Sequence, residues 1–156
     1  MEHKTIEDEY KKIVKKFELP KFDILEKEFG IGDIEETPYM LREIRKRVED
    51  KVDDFTKIIE SILQPDTGHI ASLHECKFFN DNEKEDMFNL FKELMKLNRE
   101  GLKLDLEYDE KEEAEFLKNI VKHWEKIKTK MEKIVKKLKD AWDADIEKEQ
   151  FQGYFG

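Results

Sequence analysis

The sequence predicts an all-α protein, on three observations. Apolar residues recur in steps of three and four along most of the chain, helix-capping signals punctuate those stretches, and no segment alternates convincingly with a strand's period of two. The longest stretches suggest an elongated antiparallel helical bundle, close to a coiled-coil hairpin, with short N-terminal helices at one end.

Thr5 with Asp8 three residues on resembles a capping box, and Ile6, Tyr10, Ile13 and Phe17 then fall on one helical face. Pro20 stops that helix. Phe22, Leu25 and Phe29 suggest a short second helix ended by Gly30, and residues 31–34 read as a connector. Thr37-Pro38 is a start signal, an N-cap hydroxyl followed by proline at the first helical position. From there Leu41, Ile44, Val48, Val52, Phe55, Ile59 and Ile62 make one stripe, and Gln64-Pro65 breaks it. A short helix over 69–79 carries Ile70, Leu73, Phe78 and Phe79.

Asn80-Asp81-Asn82 suits the start of the next helix, which carries Met87, Leu90, Phe91, Leu94, Met95 and Leu97 and is expected to stop near Gly101. Leu102–Leu106 then reads as an extended linker. Asp109 with Glu112 caps the last helix, whose stripe is Leu117, Ile120, Trp124, Ile127, Met131, Ile134, Leu138 and Ala141. Those steps alternate between three and four, which is a heptad seam. The domain reading is a bundle over 1–143, with N-terminal helices in 1–30 and helices over 38–63, 69–79, 82–100 and 109–143, followed by a tail over 144–156.

Composition narrows the function classes. A chain of 156 residues suits one domain with an appendage and is long enough to fold without a staple. The single Cys76 leaves no internal disulfide and fits a reducing compartment. The acidic start has no apolar signal segment, and no run approaches the ~20 apolar residues that span a bilayer. A cytoplasmic protein with no membrane attachment is therefore expected. Charged residues make up 44% of the chain, while Ser is limited to Ser61 and Ser72, a bias shared with hyperthermophile proteins and with long charged helical hairpins. The net charge of −9 argues against direct nucleic-acid binding, which needs a positive footprint.

No glycine-rich phosphate loop, Glu-x-x-His pair or His-Glu-x-x-His motif occurs. No cofactor and no catalytic residue is expected. The weak metal candidates are His69, His74 and Cys76. On a helix His74 and Cys76 point about 200° apart, so the expected reading is structural. The last helix starts acidic (Asp109 to Glu115) and ends basic (Lys126, Lys128, Lys130, Lys133, Lys136, Lys137, Lys139), which suits dipole complementarity and i,i+4 pairing on a solvated face. Arg42, Arg45, Lys46 and Arg47 are read in the same way, offset by Glu43, Glu49 and Asp50.

The tail is the most specific feature. Phe151, Tyr154 and Phe155 stand at i, i+3 and i+4, on one side of a single helical turn, where exposure without use would cost solubility. Lys148, Phe151, Tyr154 and Phe155 together resemble a PCNA-interacting peptide, the PIP box at the C-termini of many archaeal replication and repair proteins. Lys148 stands at that motif's Gln position, Phe151 at its aliphatic position and Tyr154-Phe155 at its aromatic pair. The resemblance spans about eight residues. It implies binding to a sliding clamp in DNA replication or repair, and so a non-enzymatic helical adaptor. Two alternatives stay open: a helical homo-oligomer with the tail docked near Trp142, and a metal enzyme centred on His69, His74 and Cys76.

Overall fold

The structure is a computed structural model that describes residues 5–144. Among the described residues the protein is all-α, with no strand: α1 (Glu7–Phe17), α2 (Phe22–Phe29), α3 (Met40–Leu63), α4 (Ile70–Cys76), α5 (Asp81–Leu106) and α6 (Glu110–Asp140). They form two compact units, the first from residues 5–54 and 95–125, the second from 55–94 and 126–144.

In the first unit, Thr5 is not a helix cap. It makes an isolated bridge with Glu35, while the Ile6 amide donates to the Ile34 carbonyl at 3.2 Å, so its backbone is committed to the neighbouring segment. The α1 helix ends on Glu18, whose φ of 54° places a non-glycine residue in the left-handed region. The α2 helix ends as expected on Gly30, at φ 64°, where glycine carries no Cβ penalty. Thr37 closes the turn that leads into α3, its Oγ1 accepting from the Tyr39 amide at 3.2 Å, and the helix itself starts at Met40, two residues after the start expected at Pro38. The stripe residues Leu41, Ile44, Val48 and Val52 are buried, with Leu117, Ile120 and Trp124 of α6 and Ile6, Tyr10, Leu25 and Phe29 of the N-terminal helices. The Trp124 indole donates to Glu28 at 2.9 Å and packs on Phe29 with ring centres 4.7 Å apart, so its polar edge is satisfied within the core.

Gly101 does not stop α5. The helix continues through it to Leu106, so Leu102–Leu106 is helical and not a linker. Leu104 faces the core on this last turn, while Leu106 is exposed. Asp109 then caps α6, accepting from the amides of Lys111 at 2.9 Å and Glu112 at 3.2 Å.

In the second unit, a reciprocal capping box opens α5. The Asn80 amide donates to Glu83 at 3.0 Å and the Glu83 amide to the Asn80 side chain at 2.8 Å. Ile59 and Ile62 of α3, Met87, Leu90 and Leu94 of α5, and Ile127, Met131 and Ile134 of α6 are buried. Leu138 is half-buried, and α6 ends at Asp140 rather than at 143. The α4 helix is shorter than the 69–79 expected, because residues 77–79 form turns that bring Phe79 into this core.

Candidate functional site

The tail residues Lys148, Phe151, Tyr154 and Phe155 lie outside the described residues. The three metal candidates do not converge. His69 is exposed, beside Asp66 at 3.7 Å. His74 is buried, with Nε2 2.7 Å from the Ala141 carbonyl and its ring against Phe78 and Trp142, at 4.9 and 4.6 Å between centres. Cys76 is partly covered and free. Among the described residues no three His, Cys, Asp or Glu side chains cluster as a metal would require. His74 therefore acts as a hydrogen-bonded packing residue that ties α4 to the end of α6, and Trp142 adds a bond from its indole to Glu75 at 3.1 Å.

Two polar constellations stand out instead. The first, in the first unit, centres on Arg45, which is fully buried and not on a solvated face. Its guanidinium donates through Nε to Glu113 at 2.6 Å, through one terminal nitrogen to Glu113 at 3.1 Å and Asp105 at 2.6 Å, and through the other to Glu49 and to the Gly101 carbonyl at 3.1 Å. All of the donors of the planar fork are used. Burial pulls the guanidinium pKa down, but the bonds to Glu113, Asp105 and Glu49 outweigh it, so Arg45 ends above its ordinary value. Glu49 is raised, burial outweighing the pull of Arg45. Arg42 lies beside this knot, stacked on Tyr108 and Tyr39 at 5.1 and 5.8 Å from the ring centres. This arrangement staples α3, the end of α5 and the start of α6. The Arg45 donors are all used within the unit, so the network reads as architecture.

The second constellation, in the second unit, is a groove of about 620 Å³ between the start of α5 and the end of α6. Its floor is apolar, from Phe79, Met87, Leu90 and Ile134, and its rim carries Lys130, Lys133, Lys136 and Lys137 against Glu83 and Asp86. Lys137 is held by Glu83 at 2.5 Å and by the Phe78 carbonyl at 2.9 Å. Lys136 pairs with Asp140 at 2.9 Å, the i,i+4 pattern expected of a solvated face. Lys130 and Lys133 have no carboxylate partner among the described residues. The Glu83 carboxyl lies below its usual range, first through Lys137 and then through the Asn80 amide. A groove of this size, within the roughly 300–1,000 Å³ of ordinary ligand pockets, can bury a few large apolar side chains beside acidic groups.

No family model, curated protein or solved structure matches this chain. No helix among the described residues is long and apolar enough to cross a membrane.

Sequence reasoning missed both Arg45 and the groove. Arg45 stands four residues after Leu41 and Glu113 four before Leu117, so each occupies a charged position on an extrapolated apolar stripe. That placement was the available signal. The groove has no local signal, because its walls come from α5 and α6 residues at least forty positions apart.

Proposed function

We propose that this chain is a non-enzymatic helical interaction protein of the cytoplasm, whose segment 148–155 engages the hydrophobic pocket of a protein partner, a sliding clamp of the PCNA type, in DNA replication or repair. The observation that carries the reading is the spacing of Phe151, Tyr154 and Phe155, with Lys148 where the motif has Gln. It is supported by the acidic run Asp145, Glu147 and Glu149 before those three aromatics, which leaves them as the apolar end of the segment. The groups with displaced pKa values also favour binding over catalysis. Arg45, Glu49 and Glu83 are each committed to ion pairs between helices or within one, and the Tyr10 hydroxyl, raised by burial, is bonded to the Pro20 carbonyl.

The test is calorimetry of the full chain against a sliding clamp. Aromatic plugs concentrate binding energy, so Tyr154→Ala or Phe155→Ala should each lose about 2 kcal/mol or more of affinity. Absence of clamp binding by the unaltered chain at about 100 μM, a free energy of only about −5.5 kcal/mol, sinks the reading.

Self-association is the second reading. It is favoured by Phe88 on α5 and Val135 on α6, both exposed. Sedimentation equilibrium decides it: a monomer across the micromolar range removes it.

A further inference from the structure

We infer that the groove of the second unit is a resting site for the chain's own C-terminal segment, which a partner must draw away before using it. This rests on the reading of residues 148–155 as an interaction peptide and adds an intramolecular site that regulates it.

Chemical complementarity is the first argument. The groove floor of Phe79, Met87, Leu90 and Ile134 suits aromatic side chains. On its rim Lys130 and Lys133 lack carboxylate partners among the described residues, whereas Lys136 and Lys137 are held by Asp140 and Glu83. The segment carries Asp145, Glu147 and Glu149 against a single Lys148, followed by Phe151, Tyr154 and Phe155.

Reach is the second argument. Ala144, the last described residue, belongs to the same unit as the groove. Lys130 lies about 20 Å back along the helix axis at 1.5 Å per residue. The segment 145–156 can span roughly 40 Å when extended. Tethering then supplies an effective concentration on the order of millimolar, so a contact too weak to form between separate molecules is populated within one.

The test uses the full chain carrying Cys76→Ala and Gly156→Cys, with a nitroxide label at position 156. Strong relaxation enhancement is expected at the methyl groups of Met87, Leu90 and Ile134. It should be unchanged on dilution. It should fall when Lys130→Glu and Lys133→Glu are added, and when salt is raised from about 0.05 to about 0.5 M, because the rim charges are then screened. Enhancement spread evenly over the surface, or insensitive to both salt and the lysine reversals, overturns the inference. Enhancement that disappears on dilution overturns it in favour of docking onto a second copy. If the reversed variant fails to fold, the salt and dilution series on the unreversed chain decide.

A clamp titration separates this inference from the reading it rests on. A segment docked nine-tenths of the time holds its apparent clamp affinity about 10-fold below the intrinsic value, so the lysine reversals should raise that affinity by up to that factor. Groove contact without clamp binding keeps the resting site and removes the clamp. Clamp binding equal in both chains, without groove contact, keeps the clamp and removes the resting site.

Discussion

Replacing Arg45 with Met keeps a long unbranched stem in place and removes the charge from a site with no solvent. The consequence can be worked out group by group. Asp105 is 44% exposed and Glu49 21% exposed, so both can recover water when the guanidinium goes. Glu113 is 0% exposed and loses the hydrogen-bond donors of both its oxygens, keeping only the Arg42 Nε at 3.9 Å from Oε1. A buried ion stripped of its hydrogen-bonded partner destabilises by about 3–5 kcal/mol, and the longer contact to Arg42 keeps the loss within that range. For a chain of this length each kcal/mol moves the melting temperature by roughly 2–4 °C, so Arg45→Met should melt about 6–20 °C below the unaltered protein. Urea unfolding followed by circular dichroism at neutral pH gives the free energy directly. The partner arm is Arg45→Met with Glu113→Leu, in which the stranded carboxylate is gone as well. That double variant should be more stable than Arg45→Met alone, because the two sites are coupled. A loss below about 1 kcal/mol for Arg45→Met, or an additive cycle, would refute the claim that a desolvated pair holds these helices together.

Three further outcomes follow from the helices and their ends. Ile127 is buried in the α6 seam, so Ile127→Ala should cost about 2–5 kcal/mol by denaturant titration, and a loss under about 0.5 kcal/mol would place the seam in solvent. Glu18 holds a left-handed conformation that costs a side-chain-bearing residue about 1–2 kcal/mol, so Glu18→Gly should raise stability by roughly 0.5–1 kcal/mol in thermal melts, whereas no gain would mean that the Glu18 conformation carries no strain. The Glu83 carboxyl is depressed by Lys137 and then by the Asn80 amide, so its contribution is present above the ordinary unfolded-state value and is lost as pH falls through the lower folded value. Melts between about pH 3 and 6 should show a shallower acid limb for Glu83→Gln than for the unaltered chain, and identical limbs would dissociate Glu83 from acid unfolding.

How much of this was readable before the structure depended on whether the information was local. The stripes on α3 and α6 follow from a period that every buried helix must obey, and the side chains of Thr37, Asn80 and Asp109 satisfy amides within two or three residues of their own position. Local signals failed where distant groups took over. Thr5 had the residue type of a cap, but Glu35 claimed its backbone. Gly101 had the look of a helix end, but its lack of a side chain serves Arg45 and Glu49, which come from α3. The run Arg42-Glu43-Ile44-Arg45-Lys46-Arg47 mixes outward and inward charges with no difference in residue type between them, so only the extrapolated stripe separates Arg45 from Lys46. The tail motif is legible as a spacing, and the groove that suits it is not, because two helices must first be brought together to make it.

Gly101 also sets a rule for how relatives of this chain can vary. A Cβ added there would run into the Glu49 carboxylate and come within 3.4 Å of the Arg45 guanidinium, both pinned in the same network. Positions 49 and 101 thus compete for one volume, and their identities should covary. A relative with alanine or anything larger at 101 should carry a shorter residue than Glu at 49. A relative that has lost the arginine at 45 should show no preference for glycine at 101, and no acidic preference at 113. The gain of about 1 kcal/mol that alanine offers a helix interior over glycine would then surface only in lineages where the carboxylate at 49, or the arginine that pins it, had already gone.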